Sequence, residues 1–213
     1  MIAFFIIVSY IILLFVITSI YKNFNSNNKE FLRKIIHIGI GPLIPIAKIL
    51  DINEVTALLF AGGISLLILL NYIYKIFPII EDIDRKSFGT FFYCISLFIL
   101  IFLFWDKDPA SLVAGYFIMS FGDGFAGLIG KSIKSRNWII FNQRKSIVGT
   151  TVMFCISLTV LICVGLLNNL EFNINYFSIA LLATILEQFS ALGIDNFIVP
   201  IASSLCFHLL ITN

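Results

Sequence analysis

Four ionisable residues stand in stretches that are otherwise apolar: His37, Asp123, Glu187 and Asp195. Ionisable groups inside a membrane segment cost about 3 kcal/mol each on insertion scales and mark sites of chemistry. Gathered with bases at one membrane face, these acids could bind a charged, water-soluble substrate there. Cations stand near them in two similar segments, RKSFGT at 85–90 and RKSIVGT at 144–150. In each, an Arg-Lys pair precedes a serine suited to cap a helix, Ser87 or Ser146. A glycine follows, Gly89 or Gly149, which allows a ligand close to the backbone, and Thr150 closes the second segment. First-turn amides of a helix are unpaired and bind anions. Two such ends with Arg85, Lys86, Arg144 and Lys145 could hold a polyphosphate. Arg33 and Lys34 lie four and three residues before His37, which puts them on its face of a helix.

The stretch FGDGFAGLIGKS at 121–132 imitates two soluble nucleotide motifs. Gly122, Gly124 and Gly127 satisfy the dinucleotide fingerprint by letter, but that motif needs a preceding strand and an acid about 20 residues on. The preceding residues are DPASLVAGYFIMS, an apolar helix, and the later acid is missing. A P-loop needs glycine where Phe125 stands. Both readings fail. Gly124 and Gly127 suit close helix packing, and Asp123 among glycines suits a metal ion or a substrate hydroxyl.

The elements that must position these residues are membrane helices. Of 213 residues, 60% are hydrophobic and 12% charged, against about 25% charged in soluble domains. Uncharged stretches run over 1–21, 55–74, 87–105 and 146–170, each near the roughly 20 residues that span a bilayer as a helix. Residues 1–21 lack a basic start and a cleavage site, so they read as a retained first span. Weaker candidates are 35–50, 109–130, 175–190 and 196–212. If all eight span, loops 22–34, 75–86, 131–145 and 191–195 share one face, and Lys and Arg divide 12 to 2 between the faces. With 35–50 left out, the split is 6 to 8. Basic loops collect on the cytoplasmic side. The expectation is therefore an all-α bundle of about eight spans with both termini outside, forming one domain over 1–213. His37 and the three acids then share the cytoplasmic leaflet. Cys94, Cys155, Cys163 and Cys206 lie in apolar runs and read as small buried residues.

Taken together, these residues resemble the CTP-dependent polyprenol/lipid kinase family, which includes dolichol kinase, phytol kinase and the CTP-using diacylglycerol kinase. The matching segments are RKIIH at 33–37, RKSFGT at 85–90, GDGFAGLIGK at 122–131, KSIVGT at 145–150, and Glu187 with DNFIVP at 195–200. They follow the family's order and cover 33–200. The family carries an acid where Val148 stands here, which leaves Asp123, Glu187 and Asp195 as the acids for a metal. The resemblance implies transfer of the CTP γ-phosphate to a lipid alcohol, releasing CDP. Asp123, Lys145 and Asp195 would form the reacting set, with Mg²⁺ on Asp123 and Asp195, and Glu187 and Asn196 in support. Arg33, Lys34, His37, Arg85, Lys86, Ser87, Gly89, Gly122, Gly124, Lys131, Arg144, Ser146, Gly149 and Thr150 would bind the nucleotide. The alcohol (polyprenol, phytol-like or diacylglycerol) would keep its tail between helices.

Two other readings are open. A CTP:phosphatidate cytidylyltransferase would release pyrophosphate, but its acid-rich C-terminal signature is absent here. A transporter would place its ionisable groups near the bilayer midplane, whereas here they gather toward one face. On the kinase reading, Asp123→Asn is expected to abolish transfer with little loss of folded protein. His208 has no assigned role.

Overall fold

The computed structural model describes residues 2–24, 29–74, 88–141 and 143–213. In chain order the elements are α1 (Ile2–Phe24), α2 (Lys29–Ile40), α3 (Leu43–Ile49), α4 (Glu54–Tyr74) and α5 (Gly89–Phe104). They continue with α6 (Pro109–Ser132), β1 (Asn137–Ile140), β2 (Gln143–Ser146), α7 (Ile147–Leu167), α8 (Asn175–Gln188) and α9 (Asp195–Thr212). Five of these helices are long and apolar enough to cross a membrane: α1, α4, α6, α7 and α9. The polytopic helical class follows.

Three expected spans come out shorter than a straight crossing. The 35–50 segment breaks at Gly41-Pro42 into α2 and α3, because Pro42 has no N–H to continue the helical ladder. α8 has 14 residues and α5 has 16, or about 21–24 Å of rise against about 30 Å of hydrocarbon. The helical class holds, with one strand pair that the sequence reading did not anticipate. Within loop 131–145 the chain forms an antiparallel hairpin, with Asn137 opposite Ser146 and Ile140 opposite Gln143.

α6 sits at the centre, with Leu112, Ala114, Tyr116, Ile118 and Met119 fully buried. It starts with Asp108 accepting a bond from the Ser111 N–H at 3.1 Å and Pro109 in its first turn, both favourable at a helix start. Over Ile118–Asp123 the helix widens into a π-helical turn, a distortion often found at functional positions. Asp123 is its last residue. The same helix carries the glycines that admit its neighbours. A Cβ on Gly130 would lie 2.9 Å from Gly149 Cα in α7, and one on Gly127 would lie 2.6 Å from Lys34 Cε in α2. Only glycine permits the first separation, where backbone meets backbone; at the second, a side chain would have to push the Lys34 stem aside.

The chain enters α9 through a turn with Leu192 and Gly193 at φ 56° and 88°. The Phe88 N–H donates to the Leu192 carbonyl at 3.1 Å, and Asn196 Nδ2 donates to the Gly89 carbonyl at 2.9 Å. These bonds tie the start of α9 to the start of α5, and they set Asp195 in the first turn of α9. At the other end of α9, His208 Nδ1 and Thr212 Oγ1 reach Asp108 Oδ2 at 2.7 and 2.6 Å. That bond pair gives His208 a structural role.

Candidate active site

Three acids from three elements meet in one place. Asp123 comes from the π-helical turn of α6, Glu187 from the last turn of α8, and Asp195 from the first turn of α9. One carboxylate oxygen of each lies within 4.8 Å of the other two. Asp123 and Glu187 are buried. Like charges so close in a poorly solvated site repel strongly and need neutralising.

Two lysines do part of this. Lys34 Nζ reaches across from α2 to donate to Asp123 Oδ2 at 2.6 Å and to the Asp123 carbonyl at 3.2 Å. Its stem passes over Gly127, where a side chain would block it. Lys145 on β2 pairs with Glu187 Oε1 and donates to the Glu187 carbonyl at 2.9 Å. Asp195 Oδ1 is buried without a hydrogen-bond partner among the described residues. A cluster of hard oxygens with one buried acceptor unsatisfied is a donor set that suits Mg²⁺. Asp123, Glu187 and Asp195 are the residues that fit such an ion.

The acids border a cavity of about 700 Å³, within the size range of small-molecule sites. Arg33, Lys34, Lys131, Lys134, Arg144 and Lys145 line it, so six cations surround three acids. Ser146 caps α7 by accepting from the Gly149 N–H at 3.1 Å, and its own hydroxyl donates to the Gly130 carbonyl at 3.2 Å. Gln188 Nε2 bridges Glu187 Oε2 and Thr150 Oγ1 at 2.8 and 2.9 Å. The start of α7 therefore faces the cavity with a fixed geometry.

Most of the residues expected at a site are brought together here. Asp123, Lys145, Asp195, Arg33, Lys34, Lys131, Arg144, Ser146, Gly149, Thr150, Glu187 and Asn196 all line the cavity. Four do not. His37 lies beyond Asp123, with Nε2 3.4 Å from Asp123 Oδ2 and 3.1 Å from the Met119 carbonyl. Its ring packs against Tyr93 with centroids 4.4 Å apart and the planes tilted by 52°. Gly122 packs against Met153 and Ser157, and Gly124 against Ile38, so both serve helix packing. The Gly89 carbonyl is taken by Asn196. Arg85, Lys86 and Ser87 lie outside the described residues; the cap position of α5 is held by Phe88, which makes no side-chain capping bond.

The partner of Asp123 revises one expectation: Asp123→Asn would remove the counter-charge of a lysine whose side chain is only 8% exposed, so a loss of stability is expected together with the loss of transfer. Sequence reading also missed Gln188, Gln143 and Lys134 on the cavity wall. A polar pair such as Thr150 and Gln188, 38 positions apart, leaves no local pattern to read.

Comparison with known proteins decides the family. The chain is 35% identical over 184 residues to a phytol kinase of Synechocystis sp., covering 83% of this chain and 77% of that protein. The chain belongs to the CTP-dependent polyprenol/phytol kinase family. Two plant relatives extend the comparison. A probable phytol kinase, chloroplastic, of Triticum aestivum is 29% identical over 213 residues, covering 85% of this chain and 67% of that protein. Probable phytol kinase 1, chloroplastic, of Oryza sativa is 28% identical over 211 residues, covering 84% and 63%. No protein-family signature matches the chain, and no solved structure matches it.

Proposed function

We propose that this lipid kinase transfers the γ-phosphate of CTP to the hydroxyl of a phytol-like prenyl alcohol at the cytoplasmic face of its membrane. The observation that carries the reading is the carboxylate triad on the wall of a cavity ringed by cations from three elements and a loop. Phosphoryl transfer asks the protein for positioning and charge neutralisation more than for covalent chemistry. Lys131, Lys134 and Arg144 stand around the cavity as ligands for the phosphate chain. Lys34 and Lys145 hold Asp123 and Glu187 in place beside it. That the relatives are named phytol kinases supports a prenyl alcohol acceptor.

Asp123, Glu187 and Asp195 would hold Mg²⁺, which would supply charge neutralisation for the phosphate chain when bound. In the transfer, the alcohol oxygen forms a bond to the γ-phosphorus while the bond from that phosphorus to the β-phosphate oxygen breaks. CDP leaves, and the hydroxyl proton passes to a carboxylate. Asp195 is the acid best suited to take it, through the oxygen it does not give to the ion, because neither lysine that holds the other two acids pairs with it. Eight crossings, both termini outside and basic loops on the cytoplasmic side complete the proposal; the 12-to-2 division of cations supports that arrangement.

The test is an assay of purified protein with labelled CTP or ATP against phytol, a polyprenol and diacylglycerol. CDP and prenyl phosphate are the expected products. Pyrophosphate release with a nucleotide-linked lipid would move the chain to cytidylyl transfer. Equal use of ATP would remove the base preference.

A further inference from the structure

The hairpin Asn137–Ser146 joins the adjacent ends of α6 and α7, outside every helix long enough to span. It is anchored there by the Ile147 N–H, which donates to the Arg136 carbonyl at 3.0 Å. A loop at that level is normally polar. Here Ile139 is 73% exposed, Phe141 64% and Ile133 52%. Lys134, Arg136 and Arg144 are exposed among them. Opposed residues of an antiparallel pair share a face, so Ile139 lies with Arg144, and Trp138 lies with Lys145. A two-stranded hairpin leaves two unpaired edges, and exposed Ile and Phe beside such edges invite aggregation in water. Apolar side chains interleaved with cations, with tryptophan beside them, match the layer between headgroups and acyl chains.

We propose that this hairpin is a membrane-interface element. It lies in the headgroup layer of the leaflet nearest the cavity, with Ile139 and Phe141 among the acyl chains and exposed Arg136 against anionic lipid. Lys145 and Gln143 of the same hairpin line the cavity, so the hairpin fixes the cavity mouth at the depth of a lipid hydroxyl. That last consequence rests on the kinase reading; the placement of the hairpin does not.

Trp138 and Trp105 are the two tryptophans of the chain, so the difference between wild type and Trp138→Phe isolates the hairpin signal without disturbing the buried Trp105. The measurement uses nanodiscs of phosphatidylcholine and phosphatidylglycerol, with lipids brominated high in the acyl chain or with aqueous iodide. Trp138 stands on the Lys145 face, so the deciding reporter is Phe141→Trp in the Trp138→Phe background, for which quenching by the brominated lipid with shielding from iodide is expected. Quenching by iodide alone overturns the proposal; shielding from both quenchers overturns it in favour of a second protein copy over the hairpin. Ile139→Asp with Phe141→Asp should raise KM for a bilayer-embedded alcohol about tenfold and leave nucleotide binding unchanged. Should the wild type phosphorylate no lipid alcohol, the kinase reading fails, and the quenching result still decides where the hairpin lies.

Discussion

Asp123 and Asp195 lie in one cluster but are compensated differently, and substitution should separate them. Asp123 neutralises buried Lys34 at 2.6 Å. Removing one partner of such a pair costs about 3–5 kcal/mol, whereas replacing both with uncharged residues is often close to neutral. Asp123→Asn should therefore lose both phosphate transfer and thermal stability. Asp123→Asn combined with Lys34→Met should recover most of the stability and none of the transfer. A double variant as unstable as the single one would show that Lys34 and Asp123 are not each other's compensation. Asp195 carries an oxygen with no partner among the described residues and stands beside two like charges. Asp195→Asn should keep its melting temperature, with a change in stability below about 1 kcal/mol, the size of a lost helix-start charge. Its kcat should fall by about 10²-fold or more. Near-normal turnover in this variant would remove Asp195 from proton transfer and from metal binding.

At the scale of elements, the site depends on how closely α6 approaches its neighbours. Gly130 meets the backbone of Gly149, which cannot move aside as a side chain can. Gly130→Ala should destabilise the fold by about 1–3 kcal/mol through overpacking and displace Ser146 from the cavity wall. Gly63 in α4 has nothing within 4 Å of its absent Cβ. Gly63→Ala should leave stability unchanged or raise it by up to about 1 kcal/mol. Equal melting temperatures for the two variants would contradict the packing argument. The far end of α9 depends on Asp108. Burial pushes the Asp108 carboxyl up, but hydrogen bonds from Ser111, Thr212 and His208 together hold it below the ordinary carboxylate range. A depressed native pKa means that this stabilisation is present above the unfolded value, about 3.9, and is lost as pH falls through the native one. Melting temperature should drop between about pH 4 and pH 2 more steeply in wild type than in Asp108→Asn. Parallel pH profiles would show that Asp108 is not differentially charged on folding.

For the whole molecule, orientation is the quantity to measure. Single cysteines placed at 107 and 134 should react with an impermeant reagent from opposite sides of a sealed membrane, and one at 85 should share the side of 134. Residues 107 and 134 reacting from one side would break the cavity's assignment to the basic face. The broken segment α2–α3 adds a reason to test this directly. Its lysine reaches Asp123, yet neither of its helices is long enough to cross by itself.

Much was legible in the sequence because lipid is a demanding solvent. It fixes helix as the spanning element, makes every intramembrane charge conspicuous, and sorts lysine and arginine by side. Composition and spacing thus determined the class, the long spans, the acids and most of the basic cavity wall, and the ordered motifs indicated the family. The tertiary structure decided what these rules leave free. The hairpin at 137–146 was not legible, because a short interfacial segment answers to neither lipid nor water alone. Gly122, Gly124 and His37 look like ligands by type, but only packing shows that glycine here admits a neighbouring helix and that His37 stands behind Asp123. The division of labour among the acids was equally hidden. Which carboxylate meets a lysine and which does not is set by side chains many positions apart, held within a few ångströms by the bundle.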